Sequence, residues 1–185
     1  MGEKIFNRRV AFKYGKVGVL MGGPSSEREI SIKSGSSVYK ALEEAGLDVV
    51  AVDIKTDDIK DNLELINRSG IDCAFIALHG YFGEDGQIQE ILDIAGIPYT
   101  GSGALASKLA MDKVWSRQLL EIHGLNVPRY RVLDKASFSY NWSMYSKIDF
   151  PMVVKPVSAG SSIGLSIVED RKRLDDAVDS AFTYD

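Results

Sequence analysis

The chain has 185 residues, enough for one large domain or two small ones, and its 45% apolar content is sufficient for a buried core. The net charge is -4 with no block of like charges, which excludes the basic face that general nucleic-acid binding needs. A single cysteine, Cys73, excludes an intrachain disulfide and a cysteine-rich zinc site, and its place in an apolar run makes it a small core residue rather than a nucleophile. Residues 1–14 are basic but lack an apolar run of signal-peptide length, and no stretch approaches the length of a membrane span. The expectation is a cytoplasmic protein with no membrane or nucleic-acid partner.

Residues 16–21 predict a first buried strand, and Gly22-Gly23-Pro24-Ser25-Ser26 a turn. Helical spacing then runs through Ile30, Val38, Ala41, Leu42 and Ala45 to a stop at Gly46. Ser26 and Glu29 fit a capping box, which gives Glu29 a structural duty and leaves Glu27 without one. Residues 47–53 predict a second strand, and Ile59, Leu63 and Ile66 a short amphipathic helix within 56–69. The apolar run 73–78 is a third strand. It leads into His79-Gly80-Tyr81-Phe82-Gly83-Glu84-Asp85-Gly86, and the helix that follows stops at Gly96. Residues 98–100 are short and extended. Alternating strands and helices predict a parallel sheet covered on both faces, a three-layer α/β domain.

Residues 104–123 predict a helix broken near Met111-Asp112 and stopped by Gly124 and Pro128. A strand is expected at 129–133, a weaker helix at 140–147, and a strand at 151–156. The small-residue loop Val157-Ser158-Ala159-Gly160-Ser161-Ser162-Ile163-Gly164 and a return strand at 165–168 complete a hairpin that could fold over a ligand. Residues 171–182 have helical spacing.

Several of these features carry chemistry. Ligands of open parallel sheets sit at the carboxyl ends of strands, which is where the loop of residues 79–86 lies. Glu27, in the first turn of its helix, would repel an anion and attract an ammonium; the bland alternative is that it complements the helix dipole. His79 ends the third strand and could face the same ligand, or be a satisfied polar residue. Asp85 suits a helix N-cap better than a catalytic acid. His123 suits a helix C-terminus. Lys155 leaves a buried strand beside a Gly/Ser loop where Gly160 and Gly164 allow close backbone approach and Ser161 and Ser162 add donors, a pattern that suits phosphates. The dinucleotide fingerprint is missing after the first strand, where the chain reads G-G-P-S-S-E. The hairpin loop is not a Walker loop either. The missing fingerprint counts against a nicotinamide-dependent dehydrogenase. Lys113 alone is a surface lysine.

Taken together, these stretches resemble the D-alanine–D-alanine ligases, an ATP-grasp family. The resemblance rests on Gly22-Gly23-Pro24-Ser25-Ser26-Glu27-Arg28-Glu29 with Ser31, on His79-Gly80 and Gly83-Glu84-Asp85-Gly86, on Tyr99-Thr100-Gly101-Ser102-Gly103, on Met111-Asp112-Lys113, and on Val154-Lys155-Pro156 with Gly160-Ser161-Ser162-Ile163-Gly164. It covers the chain from about Lys16 onward and departs at Ala159 and Glu90. It implies an N-terminal extension at 1–15, a substrate-binding α/β domain at 16–103, and the start of an incomplete ATP-grasp domain at 104–185. It implies that Glu27 holds the ammonium of a first D-alanine, that His79 lines the same pocket, and that Ser161 steadies Glu27. Lys113 and Lys155 would bind ATP phosphates, with Gly160, Ser162 and Gly164 closing over the γ-phosphate. The substrates are then ATP and D-alanine, the cofactor Mg2+ with ligands expected beyond Asp185, and the assembly a homodimer. The 185 residues alone are expected to be inactive. Alternatives are a ligase joining D-alanine to D-lactate or D-serine, and a catalytically silent binding fragment.

Overall fold

Lys16–Gly22 forms strand β1, buried along almost its whole length because both of its neighbours are strands and both faces are covered. In the computed structural model, which describes residues 14–142 and 149–185, the elements follow as α1 (Arg28–Glu44), β2 (Asp48–Ile54), α2 (Ile59–Ser69), β3 (Cys73–Ile76) and α3 (Gln87–Ala95). The three strands are parallel in the order β2-β1-β3, and Tyr99 adds a single parallel bridge to Ala74. Period-2 alternation sends successive β1 side chains to opposite faces. Leu20 packs with Ile66 of α2 and with Ile88, Ile91 and Leu92 of α3. Val19 and Met21 pack with Val38, Tyr39 and Leu42 of α1. Three layers result, as the alternation of strands and helices predicts.

The further elements are α4 (Ala104–Met111), α5 (Lys113–Ile122), β4 (Met152–Val154), β5 (Ser166–Val168), a 3-10 turn (Arg171–Arg173) and α6 (Leu174–Ala181). The chain divides into two compact units, the first ending at Lys108 and the second being Leu109–Asp185, so the division falls within α4. In the second unit β4 and β5 form an antiparallel hairpin. Its core joins Val168, Leu174, Ala177 and Val178 to Leu133, Phe138, Met152, Val154 and Phe182. The expected break at residues 111–112 is real: the Asp112 carboxylate accepts the Val114 and Trp115 amides at 2.8 and 2.9 Å, so one helix stops and a capped one begins.

Three local expectations need correction. The capping box of Ser26 and Glu29 does not form. The Ser25 hydroxyl takes the Glu27 amide at 3.1 Å and the Ser25 carbonyl takes the Arg28 amide, closing a turn that moves the helix start to Arg28 and puts Glu27 at the N-cap. Asp85 lies one residue before the N-cap, Gly86, although its carboxylate still accepts the Gln87 amide at 3.2 Å. Residues 129–133 form no strand. Their anchors are side chains: Arg129 pairs with Asp149 at 2.7 Å, and the Tyr130 hydroxyl donates to Glu121 at 3.3 Å. The helix expected at 140–147 falls largely on residues 143–148, outside the described residues.

Candidate functional site

β1 and β3 are neighbours, so the loops leaving their carboxyl ends meet. One hydroxyl joins them. Ser25 Oγ donates to the His79 carbonyl at 2.8 Å and accepts the Glu27 amide at 3.1 Å. Glu27 and His79 are thereby brought together at the strand ends. The closeness is visible at Gly80, where φ is 67° and a Cβ would stand 2.4 Å from Glu27 Oε2. Only glycine satisfies both the left-handed backbone and that approach.

Contacts of five side chains, which the sequence reading did not assign, hold the site. Ser31, fully buried on α1, accepts the Gly22 amide at 2.9 Å and donates to the Ala77 carbonyl at 2.7 Å, fastening the end of β1 to the segment after β3. Arg28 donates to both oxygens of Asp53 at 2.8 and 2.9 Å and to the Ile54 carbonyl at 2.7 Å, tying the start of α1 to the end of β2. Ser34 Oγ lies 2.9 Å from His79 Nε2, while Glu84 Oε1 is 3.8 Å from Nδ1 and Glu84 Oε2 accepts the Gly80 amide at 3.0 Å. Buried Gln89 donates to the Gly83 carbonyl at 2.9 Å and steadies the loop from below. The available signal was the stripe Glu27, Ser31, Ser34 at i, i+4, i+7, which is one face of a helix.

The loop has a further tie. Tyr81 donates to Asp57 at 2.8 Å, and that carboxylate holds the phenol above its usual range. Cys73 is half-buried rather than fully in the core, and desolvation, followed by the nearby Asp72 charge, pushes its thiol up, away from the reactive thiolate.

In the second unit Lys113 Nζ donates to the carbonyls of Val157 at 2.9 Å and Ala159 at 2.7 Å, so it grips the hairpin loop by its backbone. Burial, and then the neighbouring Lys155 cation, lowers its pKa. Lys155 directly follows β4. Ser161 and Ser162 sit in left-handed conformations at φ 47° and 60°, an arrangement L-residues avoid without cause, and Gly164 lies against Pro156 and Tyr184. A Cβ at Gly160 would meet nothing within 4 Å, so the loop backbone is open there. This loop already accepts an anion. The Asp185 carboxylate takes the Ser158 amide and hydroxyl, both at 2.7 Å. Lys113, Lys155, Gly160, Ser161, Ser162 and Gly164 therefore share one region of the second unit, and Glu27 and His79 share one region of the first. Among the described residues no group of three or more His, Cys, Asp or Glu side chains could hold a metal ion, and no helix is long and apolar enough to cross a membrane.

Fold and site define a parallel α/β unit whose strand-end loops bring a carboxylate and a histidine together, followed by a hairpin whose Gly/Ser loop and neighbouring lysines suit an anion. The D-ala D-ala ligase N-terminus model matches residues 16–66 and 55–102, and the D-ala D-ala ligase C-terminus model matches 119–185. The chain belongs to the D-alanine–D-alanine ligase family. It is 47% identical over 173 residues to the D-alanine–D-alanine ligase of Geotalea uraniireducens (strain Rf4), a match covering 92% of this chain and 53% of that protein. The crystal structure of the Bacillus anthracis D-alanine–D-alanine ligase superposes with a TM-score of 0.81 at 37% identity, covering 92% of this chain and 54% of that one. The same enzyme complexed with ATP gives 0.79 at 36% identity, covering 92% and 55%. The chain thus spans about half the length of the curated relatives it matches.

Proposed function

We propose that the protein acts in the ATP-dependent joining of two D-alanines to D-alanyl-D-alanine through an acyl phosphate, in the cytoplasm and for peptidoglycan precursor synthesis. The domains of this reading are an extension at 1–15, a substrate-binding domain at 16–103 and the start of an ATP-grasp domain at 104–185. The observation that carries it is the meeting of Glu27 and His79 at the carboxyl ends of parallel strands, joined through Ser25.

A carboxylate beside a backbone-fixed histidine suits an amino acid: Glu27 pairs with the ammonium, and His79 borders the carboxylate to be activated. A carboxylate oxygen of the first D-alanine attacks the γ-phosphorus and ADP leaves. The amine of the second D-alanine then attacks the acyl carbon, loses a proton, and phosphate departs. Lys113 and Lys155 neutralise charge on the phosphates, Gly160 and Gly164 let the loop approach them, and Ser161 and Ser162 add hydroxyl donors, Ser162 to the γ-phosphate. Magnesium, when bound, would share that neutralisation. Among the described residues no group of three or more His, Cys, Asp or Glu side chains offers it a site. A homodimer is the assembly the resemblance implies.

The test is phosphate release by the protein expressed from its full reading frame. Release is expected only with ATP, magnesium and D-alanine together, with D-alanyl-D-alanine found by mass spectrometry. Glu27→Gln removes a charged partner worth about 1.5–3 kcal/mol, so the KM for D-alanine should rise at least tenfold. No D-alanine-dependent release would sink the reading. Mixed products made only with D-lactate or D-serine would replace it with that of a depsipeptide or mixed-dipeptide ligase.

A further inference from the structure

We infer that Ser34 is the positioning residue of His79: its hydroxyl donates to Nε2 and holds the imidazole in the Nδ1–H tautomer, with that proton directed at Glu84. The geometry stands on its own; its relevance to catalysis rests on the ligase reading above.

Ser34 has one proton and two acceptors within reach, His79 Nε2 at 2.9 Å and the Ser31 carbonyl at 3.1 Å. The Ser31 carbonyl lies inside α1, where the helical ladder supplies it with the amide four residues on. It does not depend on the Ser34 proton. At the other side of the ring, Nδ1 is 3.8 Å from Glu84 Oε1. A proton on Nδ1 faces that carboxylate favourably, and a bare lone pair there is repelled by it. Glu84 is held in place by the Gly80 amide at 3.0 Å. Both sides of the ring therefore favour one arrangement. Nδ1 carries the proton, and Nε2 accepts from Ser34.

Two consequences follow. With Nε2 held by Ser34 and Nδ1 directed at Glu84, His79 gives the pocket a fixed wall, and it is not a free proton carrier. Glu27 and Ser34 are also carried by one rigid helix, the first at its N-cap and the second two turns on. The residue that meets the ammonium and the residue that aims the histidine thus keep a fixed separation.

The experiment is long-range proton–nitrogen correlation NMR on the 15N-labelled 185-residue chain. Its two histidines, His79 and His123, give two ring patterns, and His123→Gln assigns them. The spectrum is taken at alkaline pH, in the range where the ring signals no longer change with pH. His79 should show a protonated-type Nδ1 and a bare-type Nε2. Ser34→Ala, and Ser34→Cys, which keeps the volume but weakens the donor, should move its signals toward the Nε2–H pattern, and Ser34→Thr should restore them. A proton on Nε2 in the unmodified chain overturns the inference. So do unchanged His79 signals in folded Ser34→Ala or Ser34→Cys. In the full reading frame, Ser34→Ala should raise the KM for D-alanine about three- to tenfold, with rescue by Ser34→Thr. Absence of any ligase activity sinks the functional reading and leaves the tautomer result standing; a KM unchanged in an active Ser34→Ala enzyme overturns the positioning role.

Discussion

Lys113 shows how one side chain serves structure and charge together. Its ammonium grips two loop carbonyls, yet burial and Lys155 work against its proton. The sign is definite. A base with a lowered folded pKa binds fewer protons than in the unfolded chain, so between its lowered value and the ordinary lysine value stability rises with pH. A bound polyanion favours the charged form and reverses the shift. Inorganic tripolyphosphate should therefore bind with proton uptake at alkaline pH, and its affinity should fall as pH rises through the Lys113 titration. Calorimetry in two buffers of different ionisation enthalpy measures the uptake, and Lys113→Met should abolish it. The placement of Glu27 and His79 at the strand ends was readable from the sequence because each lies in the segment that leads from a strand into the next helix. Ser34 and Arg28 were not, because their partners His79 and Asp53 lie 45 and 25 residues away and only folding brings them close.

At the scale of elements, apolar runs located β1 and β3, and periodicity located the helices, because each has apolar surface to bury. They failed at residues 129–133, where an extended apolar and aromatic pattern is anchored by side chains and no ladder forms. They also misplaced the start of α1 by overlooking that Ser25 could spend its hydroxyl on a turn. The break between α4 and α5 was legible because an aspartate followed by a helical run is a start signal. That cap is testable. Asp112→Ala leaves the Val114 and Trp115 amides without their acceptor and should cost about 1 kcal/mol of local stability. Faster hydrogen exchange at those two amides, with α6 unchanged, is the expected readout. Because Lys113 is the next residue, tripolyphosphate binding should weaken as well.

For the whole molecule, the fold class was legible because alternating strands and helices leave few ways to cover a parallel sheet. The division into two units was less so, since it falls inside a helix, where composition gives no sign. On the proposed reading the 185 residues hold a set for an amino acid and a set for phosphates, and they span about half the length of the relatives. A polypeptide of these residues, assayed by itself with ATP, magnesium and D-alanine, is expected to release phosphate no faster than a blank. Release at ordinary enzymatic rates, about 1 per second or more, would show that the chemistry needs no ligands outside them.

Gly35 touches neither site, yet it controls tolerances at one of them. A Cβ there would stand 2.6 Å from Met21 Cβ, so α1 lies on the sheet at a spacing that leaves no room for a methyl group. Ser34 is the adjacent residue, and Ser31 is one turn earlier. A methyl group at position 35 would act as a shim under the helix, lifting both hydroxyls by a few tenths of an ångström or more from partners at 2.7–2.9 Å. Gly35→Ala is therefore expected to disturb the histidine's support through clearance rather than chemistry.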